Sequence, residues 1–373
     1  MRRQRGFTII ELLVGTAVTF VTVLAVSAAF LGYTQSFYTQ AGIRGGQASL
    51  RQTHQMVVRN LRMAGYGIEP YLAFDFPADW YDNAATNRSD RLVFRMRDPA
   101  FNAVASNIIK GTTTINLAKG LPASLRRGQI IQLVCPGALE WTYARLSAPA
   151  AKGDLMLQIG SGTDIFPNVK DFTNVNNFEP SCFNTASGGL SIHVFKIDVY
   201  DYSIQLIDDD GIPGTPGRPY LFRRHGLEEK DANAFGEPVA EDIEAMRVTF
   251  VRADGTTLTP IPTLPAPDPP YSIPLDANNP ANIRAVRVAL VARTSTRDSG
   301  ISPGFMNRIP AFAGRPEILN APYGFRRILS EMTVQVRNMR SSEMPIPVYS
   351  LDSTTVNACK GVLPSDDFNC AGG

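Results

Sequence analysis

The chain has 373 residues, of which 44% are hydrophobic and 19% are charged, with 30 Gly and 27 Pro. This composition is too apolar for intrinsic disorder and lacks the Gly-X-Y period of a fibrous protein. The formal charge of +2 hides an asymmetry, since residues 1–65 hold seven Arg and one acid, which leaves about −4 on residues 66–373. A mildly acidic body argues against nucleic-acid binding, which needs clustered Lys and Arg on one face.

Residue types that carry catalysis or bind metals are scattered along the chain. No two of the three His lie within ligand spacing, which argues against a His-based metal site. The sequence contains no G-x-S-x-G, P-loop or H-E-x-x-H motif and no G-x-G-x-x-G that opens a helix. We therefore expect no catalytic residue, no metal and no cofactor.

Residues 7–31 form an apolar run that is long enough to cross a membrane. Of these 25 residues 18 are apolar, and the only charged one is Glu11. A helix of this length reaches roughly 37 Å at about 1.5 Å per residue, which exceeds the ~30 Å hydrocarbon core of a bilayer. Three Arg precede the run and are expected to stay cytoplasmic. The run is longer than the apolar region of a secretory signal, and no A-x-A-like cleavage site follows it.

Glu11 is unusual inside such a run. An ionised carboxylate at membrane depth costs several kcal/mol unless it is paired. Cleavage after Gly6 would free the amine of Phe7, and positions 7 and 11 share a helix face, so the amine would lie near the carboxylate. The amine of a neighbouring copy could take the same place, and the pair would then be an assembly contact. The helix dipole also favours a negative charge in the first turn.

The string RGFTIIELLV resembles the cleavage site of type IV prepilins and type II secretion pseudopilins. Gly6 matches the residue before the cut, Phe7 the residue after it, and Glu11 the fifth residue of the mature chain. The resemblance implies that a prepilin peptidase removes the leader 1–6 and methylates the Phe7 amine. It also implies that residues 7–31 serve first as a transmembrane helix and then as a filament-core helix, in which Glu11 forms an assembly salt bridge.

The helix is expected to continue over residues 32–67. An apolar stripe recurs at steps of three and four residues, as on one face of an amphipathic helix, at Leu50, His54, Val57, Leu61 and Ala64. This stripe predicts that 47–64 packs on the chain's own head, which leaves 7–40 for contacts between subunits. Three Gly predict a bend or melted joint over 42–46, because Gly costs ~1 kcal/mol against Ala in a helix interior. Gly65 and Gly67 are expected to end the helix.

From residue 66 onward the sequence is typical of β-structure. Segments rich in Val, Ile, Phe and Tyr, several of which alternate apolar with polar residues, are separated by Gly and Pro clusters. They cover 90–96, 128–134, 141–146, 154–159, 191–207, 220–224, 245–252, 283–293 and 326–337. Residues 260–280 hold eight Pro and predict an extended surface loop. The expected fold class is α+β, with a long N-terminal helix packed on antiparallel sheet.

A second resemblance, to minor pilins of the PilW type, is carried by separate pieces of the chain. The pieces are RNLRMAGYG (59–67), YLFRR (220–224), EDIEAMRVTFVRADG (241–255), NIRAVRVALVARTS (282–295) and RRILSEMTVQVRNMR (326–340). Their order after the leader implies a type IV pilin-like fold with its antiparallel head over 220–340. A β-rich inserted region would then cover 68–219, and a C-terminal loop would cover 341–373.

Four cysteines lie beyond the apolar run, at positions Cys135, Cys182, Cys359 and Cys370. With a cytoplasmic leader they would face an oxidising compartment, where an even number of Cys suits disulfides. Four Cys allow three pairings; Cys135–Cys182 would staple the insert and Cys359–Cys370 would close a C-terminal loop. Unpaired buried thiols are the alternative. Zinc is disfavoured because no C-x-x-C spacing is present.

Together the two resemblances imply a minor pilin that helps to initiate type IV pilus assembly at or near the pilus tip. The role would be structural, in pili that serve adhesion and twitching motility. The implied partners are prepilin peptidase, the inner-membrane assembly platform, the major pilin, other minor pilins and a large tip adhesin. The precursor would sit in the inner membrane with a periplasmic head, and the mature protein at the cell surface. Two alternatives stay open, a GspJ-like type II secretion pseudopilin and a membrane-tethered periplasmic domain with a binding or enzymatic role.

Overall fold

The chain is described here from a computed structural model, and one helix dominates its N-terminal part. Helix α1 runs from Ile9 to Leu61, 53 residues, which corresponds to about 80 Å at 1.5 Å per residue. The structure describes residues 8–68, 70–76, 89–108, 113–135, 140–160, 191–209, 211, 217–226, 236–252, 255–257, 283–298, 307–319 and 321–339.

The remaining described residues form thirteen strands and a short 3-10 helix at Pro70–Leu72. The strands are β1 (Phe74–Asp75), β2 (Leu92–Arg97), β3 (Ala103–Ile108), β4 (Thr114–Leu117), β5 (Ile130–Cys135), β6 (Glu140–Arg145), β7 (Met156–Gln158), β8 (Ile192–Ile207), β9 (Arg218–His225), β10 (Glu237–Glu241), β11 (Ile243–Arg252), β12 (Ile283–Arg293) and β13 (Arg327–Gln335). Every strand pairing is antiparallel. The long helix together with antiparallel sheets confirms the α+β class.

The ten-stranded sheet is organised around β8, which has 16 residues. β3 and β2 pair along one edge of β8, and β5 and β9 pair along the other. The N-terminal end of β8 contributes Ile192 and Val194 to a core formed with β3 to β7. Its middle contributes Tyr200 and Tyr202 to a second core formed with α1 and the other sheet. One strand therefore joins the two halves of the head.

The three-stranded sheet, in the order β11-β12-β13, lies beside the helix. One face supplies Val248, Phe250 and Val288 to the core that also contains the buried side chains of α1. The other face is covered by residues 307–321, which pack Ile309, Phe312 and Ile318 against it. β11 and β12 are thus largely buried on both faces, whereas β13, at the edge of the sheet, is mostly exposed or half-buried.

The predicted apolar stripe of α1 is confirmed. Leu50, His54, Val57, Leu61 and Ala64 are all at most 3% exposed and face the head. In addition, the Asn60 side-chain amide donates a hydrogen bond of 2.7 Å to the Tyr202 hydroxyl, which ties the helix to β8. Gly65 and Gly67 follow the last turn with φ of 78° and 70°, backbone angles that a residue with a Cβ rarely adopts.

The predicted melted joint over 42–46 is wrong, because α1 is helical throughout these residues. Gly46 is buried, and a Cβ at that position would stand 3.0 Å from Ile328 Cδ1, while one at Gly42 would touch Thr294. The glycines let the head approach the helix. Burial of the three aliphatic side chains of the stripe contributes roughly 1.5–3 kcal/mol each, which outweighs the ~1 kcal/mol cost of each Gly.

The boundary predicted between 219 and 220 is also wrong, since it falls inside β9, which is paired to β8. The nine predicted strand segments all contain strands, whereas β1, β3, β4 and β10 are additional. The expected helix to residue 67 ends at Leu61 and gives way to turns. Residues 341–373 and the proline-rich 260–280 lie outside the described residues.

Candidate functional site

The start of α1 is built by a local exchange of hydrogen bonds. Thr8 is the N-cap, and its Oγ1 accepts from the Glu11 backbone N–H at 3.3 Å. In return the Thr8 backbone N–H and hydroxyl donate to Glu11 Oε2 at 3.0 and 2.9 Å. This capping box satisfies N–H groups that lack helical partners. Among the described residues no hydrogen bond reaches Glu11 Oε1, and the residue is exposed, so this oxygen can accept a further donor.

The N-terminal half of α1 projects from the head with its apolar side chains exposed. Ile9 is 81% exposed and Phe30 70%, and large apolar side chains are exposed on every face in between. The helix is long and apolar enough to cross a membrane, and its most apolar stretch is not buried within the molecule. An exposed apolar surface of this extent requires a membrane or a protein partner.

Four threonine hydroxyl groups in this half donate hydrogen bonds within the helix. Thr16 donates to the carbonyl three residues earlier, at 2.9 Å, and Thr19, Thr22 and Thr34 donate to the carbonyl four residues earlier, at 2.7 to 2.8 Å. Such bonds remove the penalty for placing a hydroxyl in hydrocarbon, where no water can bind it. The threonines are therefore compatible with either a membrane or a packed filament core.

Two clefts separate the exposed half of α1 from the head. The basal cleft, of about 390 Å³, lies between Leu31–Gly42 on the helix and residues 294–298 with Arg326 on the head. The upper cleft, of about 880 Å³, lies between residues 38–53 of α1 and the head around Arg218, Asp242 and Arg293. Both open at the point where the helix leaves its own domain, so both would face a neighbouring surface.

Ion pairs fix the wall of the upper cleft. Asp242 follows β10 with a φ of 59° and accepts from Arg218 Nε at 3.0 Å and from Arg293 Nε at 3.4 Å. Hydrogen bonding to Asp242 raises the pKa of Arg218 above its ordinary value, so this guanidinium stays charged. Sequence reasoning missed this ion-pair cluster, because Arg218 lies in β9, Arg293 in β12 and Asp242 between β10 and β11, and the three residues carry no common motif.

The structure places only part of the predicted set of site residues. Glu11 lies at the exposed tip of α1, whereas Gly6 and Phe7 lie outside the described residues. Cys135 is buried at the end of β5 and is disulfide-bonded. The other three cysteines lie outside the described residues, so the two predicted pairings stay predictions. Within the described part of the chain no group of three or more His, Cys, Asp or Glu is arranged to hold a metal ion.

Comparison with known proteins identifies the N-terminus most clearly. Residues 1–27 match the prokaryotic N-terminal methylation motif. Among solved structures, the chain is similar to the type IV-like pilin TTHA1219 from Thermus thermophilus, with 15% identity and a TM-score of 0.22 over 57% of this chain and 85% of that chain. Curated protein sequences give no match. The motif match confirms the expected methylation-type N-terminus; the PilW-type assignment stays a prediction.

Proposed function

We propose that the chain is a minor pilin, made as a membrane-anchored precursor and then built into a type IV pilus at or near its tip. The observation that carries this proposal is the continuity of α1. A methylation-type N-terminus runs directly into an exposed apolar half-helix, and the same helix then docks into a large head. Such a helix suits both a membrane-anchored precursor and a filament subunit, because lipid covers its apolar surface in the membrane and neighbouring helices cover it in the filament.

The geometry of Glu11 supports the assembly step. Its Oε2 accepts from Thr8, whereas Oε1 has no hydrogen-bond donor among the described residues. In the proposed mechanism the peptidase cuts after Gly6 and methylates the Phe7 amine. The resulting ammonium group of one subunit then pairs with Oε1 of Glu11 on the next subunit. In an apolar environment this pairing removes the cost of two isolated charges, so it selects the correct register between helices.

N-terminal mass spectrometry of the protein from purified filaments tests the processing step. We expect the mature chain to begin with N-methylated Phe7, and we expect intact precursor in a strain without prepilin peptidase. Gly6→Leu should block the cut, because a bulky side chain prevents close approach of the backbone to the peptidase. Gly15→Leu is the matched control, since it introduces the same side chain at a position with open space around it. Intact Met1 in assembled filaments would contradict the proposal.

A further inference from the structure

The basal cleft opens at the level where α1 would leave a membrane. Leu31 ends the apolar run and lines this cleft, as do Thr34 and Tyr38. Tyr33 is 83% exposed, and Phe37 and Tyr38 are also exposed; aromatic residues at this position mark a membrane–water interface. A headgroup layer of about 5–8 Å corresponds to roughly four or five helical residues beyond the hydrocarbon. The end of the cleft that Leu31 and Thr34 line therefore lies within the headgroup layer of the outer leaflet.

The charge of this cleft comes from the head. No charged residue lies between Glu11 and Arg44 in the sequence, so the helix contributes none to the cleft. On the head side Asp298 is paired with Arg326, at 2.9 Å from Nε and 2.8 Å from Nη2. Arg297 makes no ion pair with the described residues. Within the described part of the chain no acid therefore balances the positive charge that Arg297 brings to the cleft.

The Arg297 guanidinium is held in place by aromatic rings. Its central carbon lies 5.3 Å from the ring centre of Tyr323 and 5.6 Å from that of Phe325. Stacking leaves the edge of the guanidinium plane free to donate hydrogen bonds, and a guanidinium fork matches the oxygens of a phosphate. The side chain is thus positioned for an anion without needing an acidic partner from its own chain.

From these observations we infer that the basal cleft binds the anionic headgroup of a membrane phospholipid, with Arg297 on the phosphate. The apolar side of the cleft favours a lipid over a free anion, since Leu31 and Tyr38 can cover the first carbons of an acyl chain. This inference depends on membrane insertion of the precursor in the proposed function, but not on cleavage or filament assembly. Lipid binding would hold the head against the membrane until the subunit is extracted.

The test is native mass spectrometry of the full chain in detergent micelles doped with equal amounts of dioleoyl phosphatidylglycerol and dioleoyl phosphatidylcholine. We expect the anionic lipid to be retained preferentially. One Arg near a charged membrane surface changes affinity about five-fold, so Arg297→Gln should lower the lipid ratio by about that factor. Arg297→Lys keeps the charge but loses the fork and the aromatic stacking, so it should retain only part of the preference. Arg44→Gln is the matched control, because Arg44 is exposed on α1 and does not line the cleft.

Two outcomes would overturn this inference. The first is a lipid ratio near one, or a ratio that Arg297→Gln leaves unchanged while circular dichroism shows the variant to be folded. The second is release of the retained lipid by excess inorganic phosphate, which would identify a site for free anions. Both readouts use the unprocessed chain. Failure of the lipid site is therefore distinguishable from failure of the pilin proposal, which N-terminal sequencing of filaments decides.

Discussion

At the residue scale, Glu11 is the only charged side chain in the apolar run 7–31. Its carboxylate is bound only by Thr8 among the described residues. We expect Glu11→Ala to leave membrane insertion intact or to improve it, because an apolar residue replaces a costly charge. Recovery of the variant in sheared filaments should fall several-fold, because the Phe7 ammonium of the neighbour loses its partner. Quantitative immunoblots of the membrane and filament fractions measure the two effects separately.

Two further variants test whether the effect comes from the charge of Glu11 and not from its size or from the loss of any polar group in α1. Glu11→Gln keeps the size and can still accept from Thr8, so a loss of recovery similar to that of Glu11→Ala would assign the effect to charge. Thr22→Ala removes a hydroxyl that bonds only within the helix, and it should assemble normally. Full recovery of both Glu11 variants in filaments would exclude the proposed role of the carboxylate.

His54 is a buried titratable residue between α1 and β13. It is 3% exposed, and its Nε2 has no hydrogen-bond partner among the residues that the structure describes. Burial lowers the pKa of His54 below its ordinary 6.5, although a hydrogen bond with the Ser330 backbone partly offsets this shift. The unfolded chain therefore takes up a proton near pH 6.5, whereas the folded chain resists it. Stability should be fully present above pH 6.5 and should fall as the pH drops from there to the folded-state value.

Thermal unfolding at pH 7.5 and pH 5.5 checks this expectation. The wild type should lose more stability on acidification than His54→Leu, which has no group to protonate at the interface. His193→Leu serves as the control, because His193 lies in β8 beside Asn102, and it should keep the wild-type dependence. An equal loss in the wild type and in His54→Leu would show that this residue does not set the acid sensitivity.

At the element scale, the contact between α1 and the head depends on a glycine. A Cβ at Gly46 would stand 3.0 Å from Ile328 Cδ1 and 3.9 Å from the Arg293 carbonyl, whereas one at Gly45 would meet nothing within 4 Å. Gly46→Val should therefore overpack the interface and destabilise the protein by about 1–3 kcal/mol. Gly45→Val changes helix propensity equally and should be neutral or slightly stabilising. Equal unfolding temperatures for the two variants would contradict this assignment.

The sequence predicts those elements whose pattern is local. The stripe from Leu50 to Ala64 follows helical spacing, and β8, β11, β12 and β13 consist of long apolar or alternating runs, so these were recognisable. β3 and β4 are short and contain Asn and Ala or Thr, whose strand propensity is weak or mixed, and β10 contains Pro238. β3 forms because β8 provides an edge for pairing, β4 pairs with β3 and β7, and β10 pairs with β9. Such tertiary support leaves no signal in a single sequence.

The candidate functional residues also fall into two groups: those that are contiguous in the sequence and those that only the fold brings together. The region of Gly6, Phe7 and Glu11 is contiguous, so the sequence pattern alone identifies it, and the methylation-motif match over 1–27 agrees. The ion pairs of Asp242 join β9, β12 and the residue between β10 and β11, and the clefts combine α1 with residues more than 150 positions away in the sequence. Their existence depends on how the helix docks. The continuous helix through 42–46 has the same origin, since close approach to the head outweighs local glycine propensity.

At the scale of the whole molecule, the size of the head limits where the subunit fits in a filament. Residues 66–373 number 308, and a compact domain of this size has a radius of gyration of roughly 19 Å, or about 50 Å across. Packed helices need only ~8–10 Å between their axes. A filament made only of this chain would have to fit these heads around a tight helical core, where they would clash. At the tip no subunit lies above, so a large head has room.

We therefore expect one or a few copies per filament, located at the end that forms first. The exposed half of α1 can still offer Glu11 to the subunit added below, which gives assembly a single starting point. The experiment is quantitative mass spectrometry of sheared filaments together with immunogold labelling along their length. A low ratio to the main pilin and label confined to one end are expected, and deletion of the gene should reduce the number of filaments more than their length. Abundance equal to that of the main pilin, or uniform label along the shaft, would exclude the role of tip initiator.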